Sequence, residues 1–276
     1  MRLERPSSRE EAVAALAAGR ALAGGTELVP LLRDGIVEAD ALVDVSGVVP
    51  RGISGGTIGA ATTLAELEGS DEVPAALREA CRLAASPQLR NMGTIGGNLL
   101  QATRCWYWRL QFPCWLHGGD HCHAKEGQHR EHAFFGNERC ASAHPSDPAA
   151  ALLALGARVR TDRRELDVAE LYRLPTDDDR STTALAPDEL IVELELPEVE
   201  ASTYLKAMDR RRWAFALVGV AAARIGGEQR IALAGVAPVP WLLAGPEELD
   251  LATPLPGTEF KVEIARTLVG RALASF

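Results

Sequence analysis

Ala21-Leu-Ala-Gly-Gly-Thr-Glu-Leu28 reads as a short apolar strand running into a glycine turn. About 70 positions later, Arg90-Asn-Met-Gly-Thr-Ile-Gly-Gly-Asn98 makes a second one, again beside apolar sequence. Glycine lets a backbone approach a ligand closely and aim consecutive N–H groups at an anion. Thr26 and Thr94 add hydroxyl donors. Two such turns suit a diphosphate gripped from both sides, although a lone Gly-Gly is more often only a turn. Neither G-x-G-x-x-G nor G-x-x-x-x-G-K-[ST] occurs, which removes the two commonest nucleotide fingerprints.

Working outward, Ser8-Arg-Glu-Glu11 is a capping box opening a helix over Glu10 to Ala18, and a second helix is expected over Glu27 to Arg33. Ala41 to Val45 and Thr57 to Ala60 read as strands, and Pro74 opens a helix to about Ala85 that holds Cys81 as a small buried residue. Pro148 starts an Ala/Leu helix, and Ala157 to Thr161 reads as a strand. Thr176-Asp-Asp-Asp-Arg180 is expected as a solvated loop and a domain boundary, dividing the chain into 1–175 and 181–276. Beyond it Glu189 to Leu196, Ser202 to Met208, Ala216 to Ala223 and Arg230 to Val236 suit strands, with Gly226-Gly227 as a hairpin turn. Glu263 to Ala274 closes the chain as a helix. The pattern is α+β, ending in a mainly antiparallel sheet with a helix against it.

The 276 residues are 47% hydrophobic and 24% charged, an ordinary globular composition. Lys+Arg 29 against Asp+Glu 38 gives 29 − 38 = −9, with no basic block to hold nucleic acid. The longest proline-free apolar run, Trp213 to Ala223, is too short to span a bilayer, and Pro238 and Pro240 break the run from Ile231 to Pro246. The opening Met-Arg-Leu-Glu leads into an acidic helix rather than a secretion signal, so a soluble, cytoplasmic protein is expected.

One segment stands apart. Cys105, Cys114, Cys122 and Cys140 are four of the five cysteines, and His117, His121, His123, His129, His132 and His144 are all the histidines. The spacings C-x8-C, C-x7-C and C-x17-C match no zinc ribbon or finger. Disulfides are open on count alone, but no secretion signal favours them. Four thiolates converging from an irregular loop suit a [4Fe–4S] cluster, with Cys/His zinc as the other metal reading. For His144 a local turn contact is expected, and for His117, His121 and His123 solvated or supporting roles.

Taken in order, the two turns, Leu42-Val-Asp-Val45, Ile58-Gly-Ala60 and Ser146-Asp147 resemble the FAD-binding subunit of molybdenum hydroxylases, the xanthine and aldehyde dehydrogenase family. The resemblance covers nearly the whole chain. It implies a two-part FAD-binding domain of the vanillyl-alcohol-oxidase or PCMH type, followed by the family's flavoprotein C-terminal domain. It places Ala21, Leu22, Ala23, Gly24, Gly25, Thr26, Glu27 and Leu28 around the FAD diphosphate, with Thr94, Ile95, Gly96, Gly97 and Asn98 as the second grip. Asp147 would bond the flavin side, and Ile191 and Lys206 would touch the isoalloxazine. Asn98 and Ser146 stand 48 positions apart, so the cysteine segment is an insertion. Thr103-Arg-Cys105, Pro113-Cys114, Phe135-Gly136 and Cys140 to Asp147 look most like the periplasmic-type bacterial aldehyde oxidoreductases, where such cysteines hold [4Fe–4S]. The 4-hydroxybenzoyl-CoA reductase branch also carries a four-cysteine insertion.

The function implied is an electron relay. Substrate would be oxidised at a molybdopterin-bearing large subunit, and electrons would pass through a [2Fe–2S] small subunit to FAD here and then to an external acceptor. No residue of this chain is assigned to catalysis. A periplasmic complex exported on a partner's signal is compatible with this reading. A self-contained flavin oxidase and a metal-braced scaffold are the alternatives. Against the oxidase, little chain remains for a substrate domain.

Overall fold

The structure is a computed structural model and describes residues 1–210 and 214–276. Trp213, which opens the longest apolar run, lies outside the described residues. Near the N-terminus, β1 (Arg2–Glu4), β2 (Arg20–Leu22) and β3 (Ala41–Asp44) form a parallel sheet in the order β1-β3-β2. The helix Arg9–Leu16 buries Ala12 and Leu16 in the core that also holds Val43. Ser8 caps it by accepting the Glu11 N–H at 3.2 Å. Glu11 reaches back to the N and Oγ of Ser7 rather than to Ser8, one residue earlier than a capping box would place it.

The second sheet contains β4 (Ile53–Ser54), β5 (Thr57–Gly59), β6 (Arg158–Thr161), β7 (Glu165–Asp167) and β8 (Ile191–Glu195), antiparallel throughout and ordered β4-β5-β8-β6-β7. Glu193 pairs with Gly59 on one side and Arg160 on the other. Sheet membership therefore changes after Glu195, not at the 176–180 loop. That loop is exposed but not idle: Arg180 donates to the carbonyls of Trp115 and Gly119, and Asp177 accepts from Trp115 Nε1 at 3.2 Å.

The third sheet is a meander of β9 (Ala201–Ala207), β10 (Val218–Ile225), β11 (Glu228–Ala234) and β12 (Trp241–Leu243). Gly226 and Gly227, at φ +57° and +81°, turn the β10–β11 hairpin as expected. The helix Glu259–Leu273 packs on this sheet, starting four residues before the expected Glu263. The Asp147–Ala154 helix, all Ala and Leu after its Asp-Pro start, is buried on every face between the Ala75–Leu83 helix and β10 and β11.

The insertion is mostly irregular, with a short α-helix at Trp106–Arg109 and single 3-10 turns at Trp115–His117 and His123–Lys125. Its ends meet: Ser146 Oγ donates to Asn98 Oδ1 at 2.6 Å. Phe134 and Phe135 plug it into the core of the third sheet. The fully buried Lys261 ammonium donates to the carbonyls of Glu131 (3.3 Å), His132 (2.6 Å) and Gly235 (2.8 Å). This is a loop held by contacts with its host as well as by its own side chains.

Candidate functional site

The first turn leaves the edge strand β2 and enters the Leu28–Arg33 helix. Gly25 sits at φ +70°, a left-handed conformation that favours glycine. Gly24 is required for another reason: a Cβ there would stand 1.8 Å from the Met92 carbonyl oxygen. The two glycine motifs therefore touch. Among the described residues, the N–H groups of Gly24, Gly25, Thr26 and Glu27 have no protein acceptor. Four consecutive free donors on a cavity wall are suited to binding an anion.

The second motif uses its amides differently. Ile95 N donates to Thr62 O at 2.8 Å, Gly96 N to Ala60 O at 3.0 Å, Gly97 N to Thr94 Oγ1 at 3.3 Å and Asn98 N to Thr94 O at 2.8 Å. It is the capped start of a short helix, Ile95–Leu99, rather than a second row of free donors. Gly96 keeps that helix against Ala60, whose side chain would stand 3.0 Å from a Cβ at this position.

One cavity of about 900 Å³ brings the expected cofactor residues together, near the upper end of the roughly 300–1,000 Å³ range for such sites. Ala21 to Leu28, Thr94, Gly96, Gly97, Asn98, Asp147, Ile191 and Lys206 all line it. Ile95 does not: it is fully buried in the core beside Leu99.

Asp147 and Lys206 form a buried ion pair in this wall, Nζ to Oδ2 2.7 Å, with side chains 3% and 1% exposed. The ammonium also donates to Leu83 O at 3.0 Å. Tyr204 Oη donates to Asp147 Oδ1 at 2.5 Å. Burial pushes the Asp147 carboxyl above its ordinary range, against the pull of Lys206 and of both hydrogen bonds. Sequence reading missed Tyr204, since a strand tyrosine carries no local sign of its partner. Gly219, diagonally across on β10, makes room for it, where a Cβ would meet the hydroxyl at 2.1 Å. His144 is buried and lines the cavity. Burial lowers its pKa to about 3, keeping it neutral. Its Nδ1 faces the Ser146 N–H at 3.4 Å, the local turn contact expected.

Cys105, Cys114, Cys122 and Cys140 line a second, small chamber with Tyr107, Trp108, Trp115, Leu116 and His123. All four are free thiols, as is Cys81, which is buried in the main core. Among the described residues, no three His, Cys, Asp or Glu side chains are drawn into a metal-binding group, so the structure leaves the metal unassigned. Four free cysteines lining one aromatic-walled space are the donor type that a thiolate-bound cluster would use. His132 Nε2 lies 3.2 Å from Cys105 Sγ. Trp108, Leu116 and Ser142 line both this chamber and the larger cavity, so a single layer of side chains separates them.

The sequence family described as the FAD binding domain in molybdopterin dehydrogenase matches residues 1–199. The chain belongs to that family. The aldehyde oxidoreductase FAD-binding subunit PaoB of Escherichia coli K12 is 39% identical over 239 residues, 80% of this chain and 75% of its own length. The carbon monoxide dehydrogenase medium chain of Afipia carboxidovorans is 41% identical over 107 residues, 34% of this chain and 37% of that one. A solved carbon monoxide dehydrogenase from Hydrogenophaga pseudoflava superposes with a TM-score of 0.71 at 25% identity, covering 99% of this chain and 96% of that one. This member of the molybdopterin dehydrogenase family is thus an FAD-binding oxidoreductase subunit with an α+β fold. Among the described residues no helix is long and apolar enough to cross a membrane.

Proposed function

We propose that this chain is the FAD-carrying relay of an aldehyde-oxidising molybdenum enzyme. It accepts electrons from a [2Fe–2S] small subunit served by a molybdopterin-bearing large subunit, and it hands them to an external acceptor. The observation that carries the reading is the single cavity in which four free backbone N–H groups of the first turn share a wall with the Asp147–Lys206 pair. The aldehyde class is supported by the 39% identical FAD-binding subunit of an aldehyde oxidoreductase.

FAD, when bound, supplies both one- and two-electron chemistry, which suits a relay between iron–sulfur centres and a two-electron acceptor. The chain's own residues place it. Gly24 to Glu27 present N–H donors to the diphosphate, and Met92 and Gly93, at the head of the second motif, pack against that turn. Lys206, held by Asp147 and the Leu83 carbonyl, sets a fixed cation in the wall. Such a cation stabilises negative charge developing on a reduced cofactor. Cys105, Cys114, Cys122 and Cys140 would hold a [4Fe–4S] cluster within the insertion.

Expression alone and together with its genomic neighbours tests the whole reading. The isolated chain should bind FAD but oxidise no aldehyde, and the complex should oxidise aldehydes with a dye acceptor. Aldehyde turnover by this polypeptide alone, free of molybdenum, would replace the relay by a self-contained oxidase.

A further inference from the structure

The cavity wall beside the first turn carries more positive than negative charge, although the chain as a whole stands at −9. The Glu27 carboxylate is shared by two guanidiniums: Arg104 Nη2 lies 2.7 Å from Oε2, and Arg109 Nη2 lies 2.6 Å from Oε1. Arginine stays protonated in proteins, so one cation there has no counter-charge of its own. The cavity's other carboxylates are engaged, Asp147 by Lys206 and Glu189 by Arg164.

The two arginines are not equivalent. Arg109 is off the cavity wall and donates to the carbonyls of Thr103 (2.9 Å) and Ala102 (3.4 Å). Arg104 lines the cavity together with Gly24, Gly25 and Thr26. Its Nη2 reaches Gln101 Oε1 at 2.9 Å, and its guanidinium lies over the Phe215 ring at 4.8 Å. Among the described residues its Nε has no acceptor, and Glu27 Oε2, 2.7 Å from Arg104 Nη2, is not otherwise engaged. An N–H left without an acceptor is costly unless a ligand supplies one.

We propose that Arg104, contributed by the insertion, is the cationic ligand of the FAD diphosphate, joining the four free N–H groups of the first turn. The proposal rests on the reading that the cavity holds FAD. It makes the insertion part of the cofactor site, since Arg104 adjoins Cys105.

The test uses the full chain stripped of flavin, titrated with FAD and, separately, with ADP, which carries the diphosphate without the flavin ring. Arg104→Gln should weaken both by about tenfold or more, the worth of a charge-assisted hydrogen bond. Arg109→Gln breaks the same pairing with Glu27 but removes no cavity charge, and should stay within about threefold of the parent. If Arg104→Gln prevents folding, Arg104→Lys decides: it should bind ADP several-fold more weakly than the parent, and unchanged ADP affinity overturns the proposal. Equal losses in the Arg104 and Arg109 variants would mean that Arg104 acts only through Glu27. A loss for FAD without one for ADP would move the cation to the flavin ring. Either result overturns the proposal, whereas a parent chain that binds no FAD overturns the reading of the cavity itself.

Discussion

Gly24 and Met92, far apart in sequence, are in backbone contact: a Cβ on Gly24 would stand 1.8 Å from the Met92 carbonyl oxygen. Backbone cannot rotate away as a long side chain does. Gly24→Ala should therefore push the two motifs apart and abolish stoichiometric FAD binding, with a lowered melting temperature for the apo chain. Flavin content after purification and a thermal melt check both outcomes.

Gly25 tests the same turn by a different route. Its left-handed φ of +70° disfavours β-branched side chains, and Val29 would lie 3.2 Å from a Cβ there. Gly25→Val should lose FAD while far-ultraviolet circular dichroism stays close to that of the parent. A variant that retains full flavin would remove the first turn from the site.

The Asp147–Lys206 pair is buried on both sides. Breaking such a pair strands the remaining charge, at about 3–5 kcal/mol. Lys206→Met should therefore cost about that much stability in denaturant melts. The double variant Asp147→Asn, Lys206→Met should recover part of the loss, as a double-mutant cycle would show.

His144 gives a pH dependence. Its folded pKa is about 3 against an ordinary 6.5, so below pH 6.5 the unfolded chain binds the proton that the folded chain refuses. Its contribution is complete above about pH 6.5 and is lost progressively as pH falls toward about 3. Melting temperatures measured between pH 7 and pH 4 should fall less steeply in His144→Phe than in the parent, since phenylalanine takes up no proton.

Cys114 is buried in the small chamber. Cys114→Ser should remove bound iron while sparing the main core, in which Cys114 has no place. Metal analysis of anaerobically purified protein should find about four Fe per parent chain, and about one Zn would reassign the site.

Local chemistry was readable from sequence and tertiary pairing was not. The Gly226-Gly227 hairpin, the Pro148 helix and the Ser8 cap each announce themselves within a few residues. The Gly25 turn does too, but nothing near Thr94 tells that its amides are spent on Thr62, Ala60 and Thr94 itself. Ile95 sits inside a cofactor-like motif, yet its side chain points into the core. β8 joins the second sheet because Glu193 pairs with Gly59 and Arg160, a choice made across more than a hundred residues on one side. Glu27, Arg104 and Arg109 meet only once the insertion has folded back over the first turn.

The hydrogen bond from Ser146 to Asn98 has a consequence for how such a chain arises. Because the polypeptide departs and returns at one point, the host fold sees no difference in end-to-end span between a short connection and a long one. Loop-closure entropy grows only with the logarithm of length, so lengthening the excursion adds little cost. The Asn98–Ser146 clasp thus marks where the 99–145 excursion joins its host, while Phe134, Phe135 and the carbonyls that hold Lys261 make the excursion part of the packed molecule.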